Sequence, residues 1–192
     1  MKINLFSGYF KSTDYHRAKE LDFCLQKNRT NKWIDNVFIF TDRISYQEFF
    51  DQTKNYPNDI NILANGDIYF DDSIKHALNI RPKDCYALTR LELVKTQVIS
   101  FEDRHRDTMA QPRHSQDAWI FRGAVNNVYG GFYLGIPGCD NRIAHEIYSA
   151  GYNITNPSLT IKAIHVHGSD KRNYPQGQNI PRPYKWIEQT RL

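Results

Sequence analysis

The sequence predicts a single α/β domain with a mainly parallel central sheet flanked by helices and an irregular second half. Three observations carry this reading. Residues 2–42 form a strand, helix, strand unit, and two strands joined by a helix pair in parallel through a right-handed crossover. Short apolar runs recur at 60–64, 85–89 and 160–166, each of strand length and each bounded by polar or helical stretches. Hydrophobic residues make up 40% of the 192 residues and aromatics 14%, which is enough for one core and excludes wholesale disorder.

The elements follow in order. Lys2-Ile-Asn-Leu-Phe6 alternates polar and apolar and reads as a strand. Ser7-Gly8-Tyr9 turns the chain, and Ser12, Thr13 and Asp14 offer caps for a helix from Asp14 to about Asn28, with Ala18, Leu21, Cys24 and Leu25 on one face. The dense apolar run Asn36–Asp42 predicts a strand buried on both faces. A short helix at 46–52, a strand at 60–64, a helical turn at 73–78 and a strand at 85–89 follow. The polar stretch 101–116 lacks periodicity and reads as a loop; 118–121 and 132–134 are short strand candidates. From Asp140 to about Ala150, Ile143, Ala144, Ile147 and Tyr148 form a helical stripe that Asp140 can cap and Gly151 ends. A last strand at 160–166 precedes a basic, proline-containing tail without regular pattern.

Composition excludes several classes. No apolar run approaches the roughly 18–20 residues of a membrane span, and the opening ten residues are too polar for a secretory leader, so the expected setting is cytoplasmic. Cys24, Cys85 and Cys139 make neither a disulfide framework nor a Cys-x-x-Cys metal site. The net charge of +4 is spread along the chain, which fits a phosphorylated small molecule as well as nucleic acid, but no basic helix or aromatic platform of the kind that reads nucleic acid is present.

Three clusters can carry chemistry. Asn65-Gly66-Asp67, with Asp71 and Asp72, follows the third strand, and in open α/β sheets ligands bind at the carboxyl ends of strands. A carboxylate there can hold a divalent cation, and the same sequence also reads as a turn. In His165-Val166-His167-Gly168, two imidazoles at i and i+2 of a strand share a face, and Lys171 and Arg172 follow with charge for phosphate oxygens. At the head of the helix near residue 140, Asp140 is a candidate general base as well as a helix cap; Asp117, which enters an aromatic strand, is the next candidate.

Taken together these segments resemble a glycosyltransferase domain of the GT-A fold, similar to small single-domain members from viruses and bacteria. Asn65-Gly66-Asp67 resembles the acidic metal motif of that family, with Asn in its first position. Asp140, then Ala150-Gly151-Tyr152, Pro157, His165 and His167 resemble the order of motifs in inverting, family 2-like members, with Cys139 in place of the usual acid. The resemblance spans about residues 1–175. It implies a nucleotide-sugar and metal half at 1–100, an acceptor half at 101–175 and a tail at 176–192. It also implies transfer of a hexose from a nucleoside diphosphate sugar, UDP-sugar favoured, to a glycan or glycoprotein hydroxyl with inversion. Asp67 with His165 or His167 would hold Mn²⁺ or Mg²⁺. Ser7, Tyr9, Arg17, Asp42, Asn65, Arg90, Gly168, Lys171 and Arg172 would contact the donor, and Asp140 or Asp117 would act as base. Two alternatives use the same residues: a metal-dependent phosphodiesterase or nuclease with Asp67, Asp71, His165 and His167, and a carbohydrate- or nucleotide-binding domain without turnover.

Overall fold

A computed structural model describes residues 1–168 and 178–192. Its elements, in chain order, are β1 (Ile3–Gly8), α1 (Tyr15–Arg29), β2 (Asn36–Phe40), α2 (Tyr46–Thr53), β3 (Ile60–Ala64), β4 (Ile68–Phe70), a 3-10 helix (Asp72–Asn79), β5 (Asp84–Leu88), β6 (Arg90–Val94), β7 (Gln97–Ile99), α3 (Phe101–Arg104), a 3-10 turn (Pro112–His114), β8 (Ala118–Arg122), α4 (Cys139–Ser149), β9 (Asn153–Thr155) and β10 (Ala163–His165). Local chemistry sets several boundaries. Asp14 caps α1 by accepting from the Arg17 amide at 2.9 Å, and Ser45 with Glu48 closes a capping box on α2.

The strands form two sheets. The larger has the order β2-β1-β3-β8-β5-β9, and the smaller β4-β10-β6-β7. In the larger, β2, β1, β3, β5 and β9 run the same way and β8 is antiparallel to both its neighbours. The α/β class and mainly parallel sheet are therefore present. Period-two alternation divides the core into two layers. Phe6, Leu63, Cys85, Ala87, Trp119 and Phe121 face α2 and α4, meeting Tyr46, Phe49, Phe50, Ile143, Ala144 and Ile147. Ile3, Leu5, Ile60, Ile62, Leu88 and Ile120 face the other way, onto Ile68 and Phe70 of β4, Ala163 of β10 and Ile74 of the 3-10 helix. Each such side chain contributes about 1.5–3 kcal/mol by leaving water.

The structure departs from the sequence reading at several places. β2 is an edge strand with all five residues half-buried, because no strand pairs with its outer side among the described residues. Asn4, a polar position of β1, is buried: its amide donates to Asn61 Oδ1 at 3.2 Å and its carbonyl accepts from Asn36 at 2.8 Å, an asparagine ladder across three strands. Residues 132–134 form no strand; Tyr133 makes only an isolated bridge with Ser45. The 101–116 stretch contains α3 and the 3-10 turn. Gly138, in the left-handed region at φ +84°, is the N-cap of α4, so Asp140 lies within the first helical turn and does not cap. The tail beyond residue 177 is packed: Ile187 is buried and Gln189 bridges Asn156.

Candidate metal centre

A cleft of about 760 Å³ opens at the edge of the larger sheet where β1, β2 and β3 end. Tyr9, Asp42, Asn65 and Asp67, which follow those strands, line it. The reversed β8 presents its start at the same edge, so Asp117 joins them; the amide of Asn65 donates to the Asp117 carbonyl at 3.2 Å. Gly66 is required here by packing, since a Cβ would run into the carbonyl oxygen of Gly8.

The smaller sheet brings the remote parts of the chain together. β10 pairs antiparallel with β4, setting His165 opposite Ile68, and parallel with β6, setting it opposite Glu92. The Val166 amide donates to the Asp67 carbonyl at 2.9 Å, fixing the register. The result is a cluster in which ligand atoms of Asp67, His165 and His167 all lie within 4.8 Å of one another. His165 Nε2 is 3.3 Å and His167 Nδ1 3.7 Å from Asp67 Oδ2, and the two rings stack with centroids 5.4 Å apart. The i, i+2 histidine pair thus shares a face, as the spacing suggests.

Charge in this wall is balanced pair by pair. Arg17 donates to Asp67 Oδ2 at 2.6 Å, to His167 Nδ1 at 2.9 Å and to Glu20 at 2.9 Å. Glu92, buried, pairs with His165 Nδ1 at 2.8 Å through one oxygen and accepts from Arg90 Nε at 2.6 Å through the other. Arg90 also reaches Asp117 at 2.9 Å, and Asp117 accepts from Asn65 at 2.7 Å and from Ser115 at 2.9 Å. Burial alone would raise the Asp67 carboxyl, but the charges and hydrogen bonds of His165, His167 and Arg17 outweigh it and hold Asp67 well below the usual carboxylate range. Burial would likewise depress His165 and raise Glu92. Their ion pairs reverse both, pushing His165 up to about 9 and Glu92 down to about 2.

The opposite wall is built differently. Asp140 projects from the first turn of α4 beside Ile136 and Pro137, with Cys139 Sγ donating to its Oδ1 at 3.2 Å. Burial, reinforced by the charge of Asp117, raises its carboxyl to about 8.

Most residues singled out in the sequence meet at this cleft. Tyr9, Arg17, Asp42, Asn65, Asp67, Arg90, Asp117, Asp140, His165 and His167 all line it. Ser7 does not: it is buried under the floor, and its hydroxyl donates to the Asn65 carbonyl at 3.4 Å. The Tyr9 hydroxyl is tied back to Asp22 at 2.5 Å, and the Gly168 amide donates to Glu20 at 2.7 Å. Lys171 and Arg172 lie outside the described residues. Asp71 turns away to cap the 3-10 helix, accepting from the Ser73 amide at 2.9 Å. Glu92 and Glu20 escaped the sequence reading. The alternation Arg90-Leu-Glu92-Leu-Val94 is a strand pattern and was the available signal.

One carboxylate and two imidazoles at this spacing can hold a metal ion, and the Glu92–His165 contact has the form of the carboxylate partner that orients a metal-binding imidazole. Against known proteins, the chain matches no family model and no curated sequence. No helix among the described residues is long and apolar enough to cross a membrane.

Proposed function

We propose that this chain is a metal-dependent glycosyltransferase that moves a hexose from a nucleoside diphosphate sugar, UDP-sugar favoured, to a hydroxyl of a glycan or glycoprotein, with inversion. The observation that carries the reading is the meeting, in one cleft, of the Asp67–His165–His167 cluster and the Asp140 carboxyl. A cation held there supplies Lewis-acid stabilisation to the departing diphosphate. Asp67, His165 and His167 hold it, with Mn²⁺ or Mg²⁺ as the ion. Glu92 keeps His165 Nε2 turned toward Asp67, and Arg17, which holds Asp67 Oδ2 and His167 Nδ1, gives those atoms up to the cation. Asp42 and Tyr9, at the ends of β2 and β1, line the mouth where a nucleoside fits.

On the far wall, a sugar hydroxyl is a poor nucleophile until its proton is removed. Asp140 takes that proton. Its raised affinity for protons suits a base working near neutral pH. Asp117, the other candidate, has its carboxylate oxygens engaged by Asn65, Arg90 and Ser115, so its role is to hold Arg90 and Asn65. For a phosphodiesterase or nuclease, a tightly held or double metal centre needs further ligands, and Asp71 supplies none because it caps the 3-10 helix.

The test is a thermal-shift and calorimetric titration with UDP-sugars, with and without Mn²⁺, followed by assays of donor hydrolysis and transfer. Metal-dependent binding with turnover is expected. Binding without turnover favours the binding-module reading, and no response to any nucleotide sugar overturns the proposal.

A further inference from the structure

Large exposed aromatic rings usually pack loosely or sit on mobile segments, yet Trp186 is 49% exposed and anchored on both sides. Before it, the Lys185 amide donates to the Asn141 carbonyl at 2.9 Å; after it, Ile187 is buried and its carbonyl accepts from Asn156 at 3.2 Å. The guanidinium of Arg113 lies 5.7 Å from the centre of the indole, and is itself fixed by Glu188 at 2.8 Å. Cation–π contact of this kind helps hold the ring in place. The His114 ring, with its centroid 6.3 Å from that of Trp186, also lines the cleft. Asn141 ties the group to the far wall: its side chain donates to the Arg113 carbonyl at 3.0 Å, its carbonyl holds Lys185, and it is the neighbour of Asp140.

We infer that Trp186 is a stacking platform for a pyranose ring of the acceptor glycan, with the tilted His114 ring linking it to the cleft that holds Asp140. The inference deepens the transfer reading and rests on it. A pyranose presents one face of C–H groups and a rim of hydroxyls. A fixed indole matches the apolar face, while the rim finds the donors and acceptors of the polar surroundings. Trp186 reaches the cleft through His114, and Asn141 ties its segment to the helix of Asp140, so a sugar stacked there lies beside that helix. The substrate class is therefore an oligosaccharide, or the glycan of a glycoprotein, rather than a small alcohol.

The experiment titrates the full chain with maltotetraose, cellotetraose, mannotetraose and chitotetraose, with and without UDP and Mn²⁺. Tryptophan fluorescence and calorimetry are the readouts. Trp119 is buried and Trp33 half-buried, so a quench or blue shift reports chiefly on Trp186. At least one oligosaccharide is expected to bind. Trp186→Ala should weaken that binding about tenfold or more, Trp186→Phe should restore most of it, and both variants should keep the affinity for UDP with Mn²⁺. Because the ring is half outside the core, the melting temperature of Trp186→Ala should stay close to that of the wild type.

Undiminished oligosaccharide binding by Trp186→Ala overturns the platform, as does the absence of binding to any of the four sugars. A wild-type dimer in sedimentation velocity that Trp186→Ala abolishes, with no sugar effect, also overturns it and assigns the ring to self-association. Sugar binding that depends on Trp186 in a protein with no metal-dependent affinity for UDP leaves the platform standing and removes the transfer reading instead.

Discussion

The two walls of the cleft hold their carboxylates in opposite ways. On the side of the Asp/His cluster, Asp67 and Glu92 are buried among Arg17, Arg90 and His165, Asp67 Oδ2 is shared by Arg17 and His165, both Glu92 oxygens are paired, and both carboxyls sit below their ordinary range. On the far side, Asp140 has a thiol as its nearest side-chain donor and another carboxylate as its strongest electrostatic neighbour, and it is raised. The first arrangement keeps charge permanently in place, which suits holding an ion. The second leaves a proton exchangeable near neutrality, which suits moving one.

The largest expected effect comes from unbalancing the paired wall. Asp67→Asn removes the carboxylate that Arg17 and His165 share, leaving them only Glu20 and Glu92 as counter-charges, and should cost about 3 kcal/mol of folding stability. Urea denaturation of the variant would measure this, and an unchanged midpoint would show that Asp67 does not hold the network together. Next is the proton-moving wall. Asp140→Asn should lower transfer about 10²–10⁴-fold while metal-dependent UDP binding stays near wild type, and near-normal turnover would take the base role from Asp140.

A smaller effect is expected at Glu92, which acts through His165. Glu92→Gln keeps the shape but weakens the acceptor that orients His165, and should reduce Mn²⁺ affinity about 10–100-fold in calorimetry. An unchanged affinity would make Glu92 purely structural. The subtlest prediction concerns pH. A raised Asp140 favours the folded state fully below the ordinary carboxylate pKa of about 4, and that contribution fades as pH climbs through about 8. Asp140→Asn escapes the loss. Its melting temperature should gain on the wild type across that interval and then run parallel, whereas wild-type transfer should increase over the same range.

Much of this was legible in the sequence. Strands carrying dense apolar runs, such as 60–64 and 85–89, and the capped helices at α1 and α2 are specified locally, and they were recognisable for that reason. The acidic motif, the histidine pair and the helix bearing Asp140 were visible as spacing. What spacing cannot carry is register. The three-residue strands β4 and β10 are too short to announce themselves, yet their pairing is what brings Asp67 to His165, and β6 beside them delivers Glu92. Asn4 shows the same limit: alternation marks it as a polar strand position, and its burial becomes visible only once its partners Asn36 and Asn61, on two other strands, are known. Asp140 looked like a cap because Asp is favoured there, but Gly138 with positive φ starts the helix earlier.

That glycine also sets how closely two remote parts of the molecule can approach. A side chain at residue 138 would strike Tyr184, Asn179 and Ile180, so the 180s lie directly across the start of α4. Its φ of +84° would strain any residue that carries a Cβ. One missing carbon thus serves both the turn that opens the helix of Asp140 and the seat of a segment far along the chain.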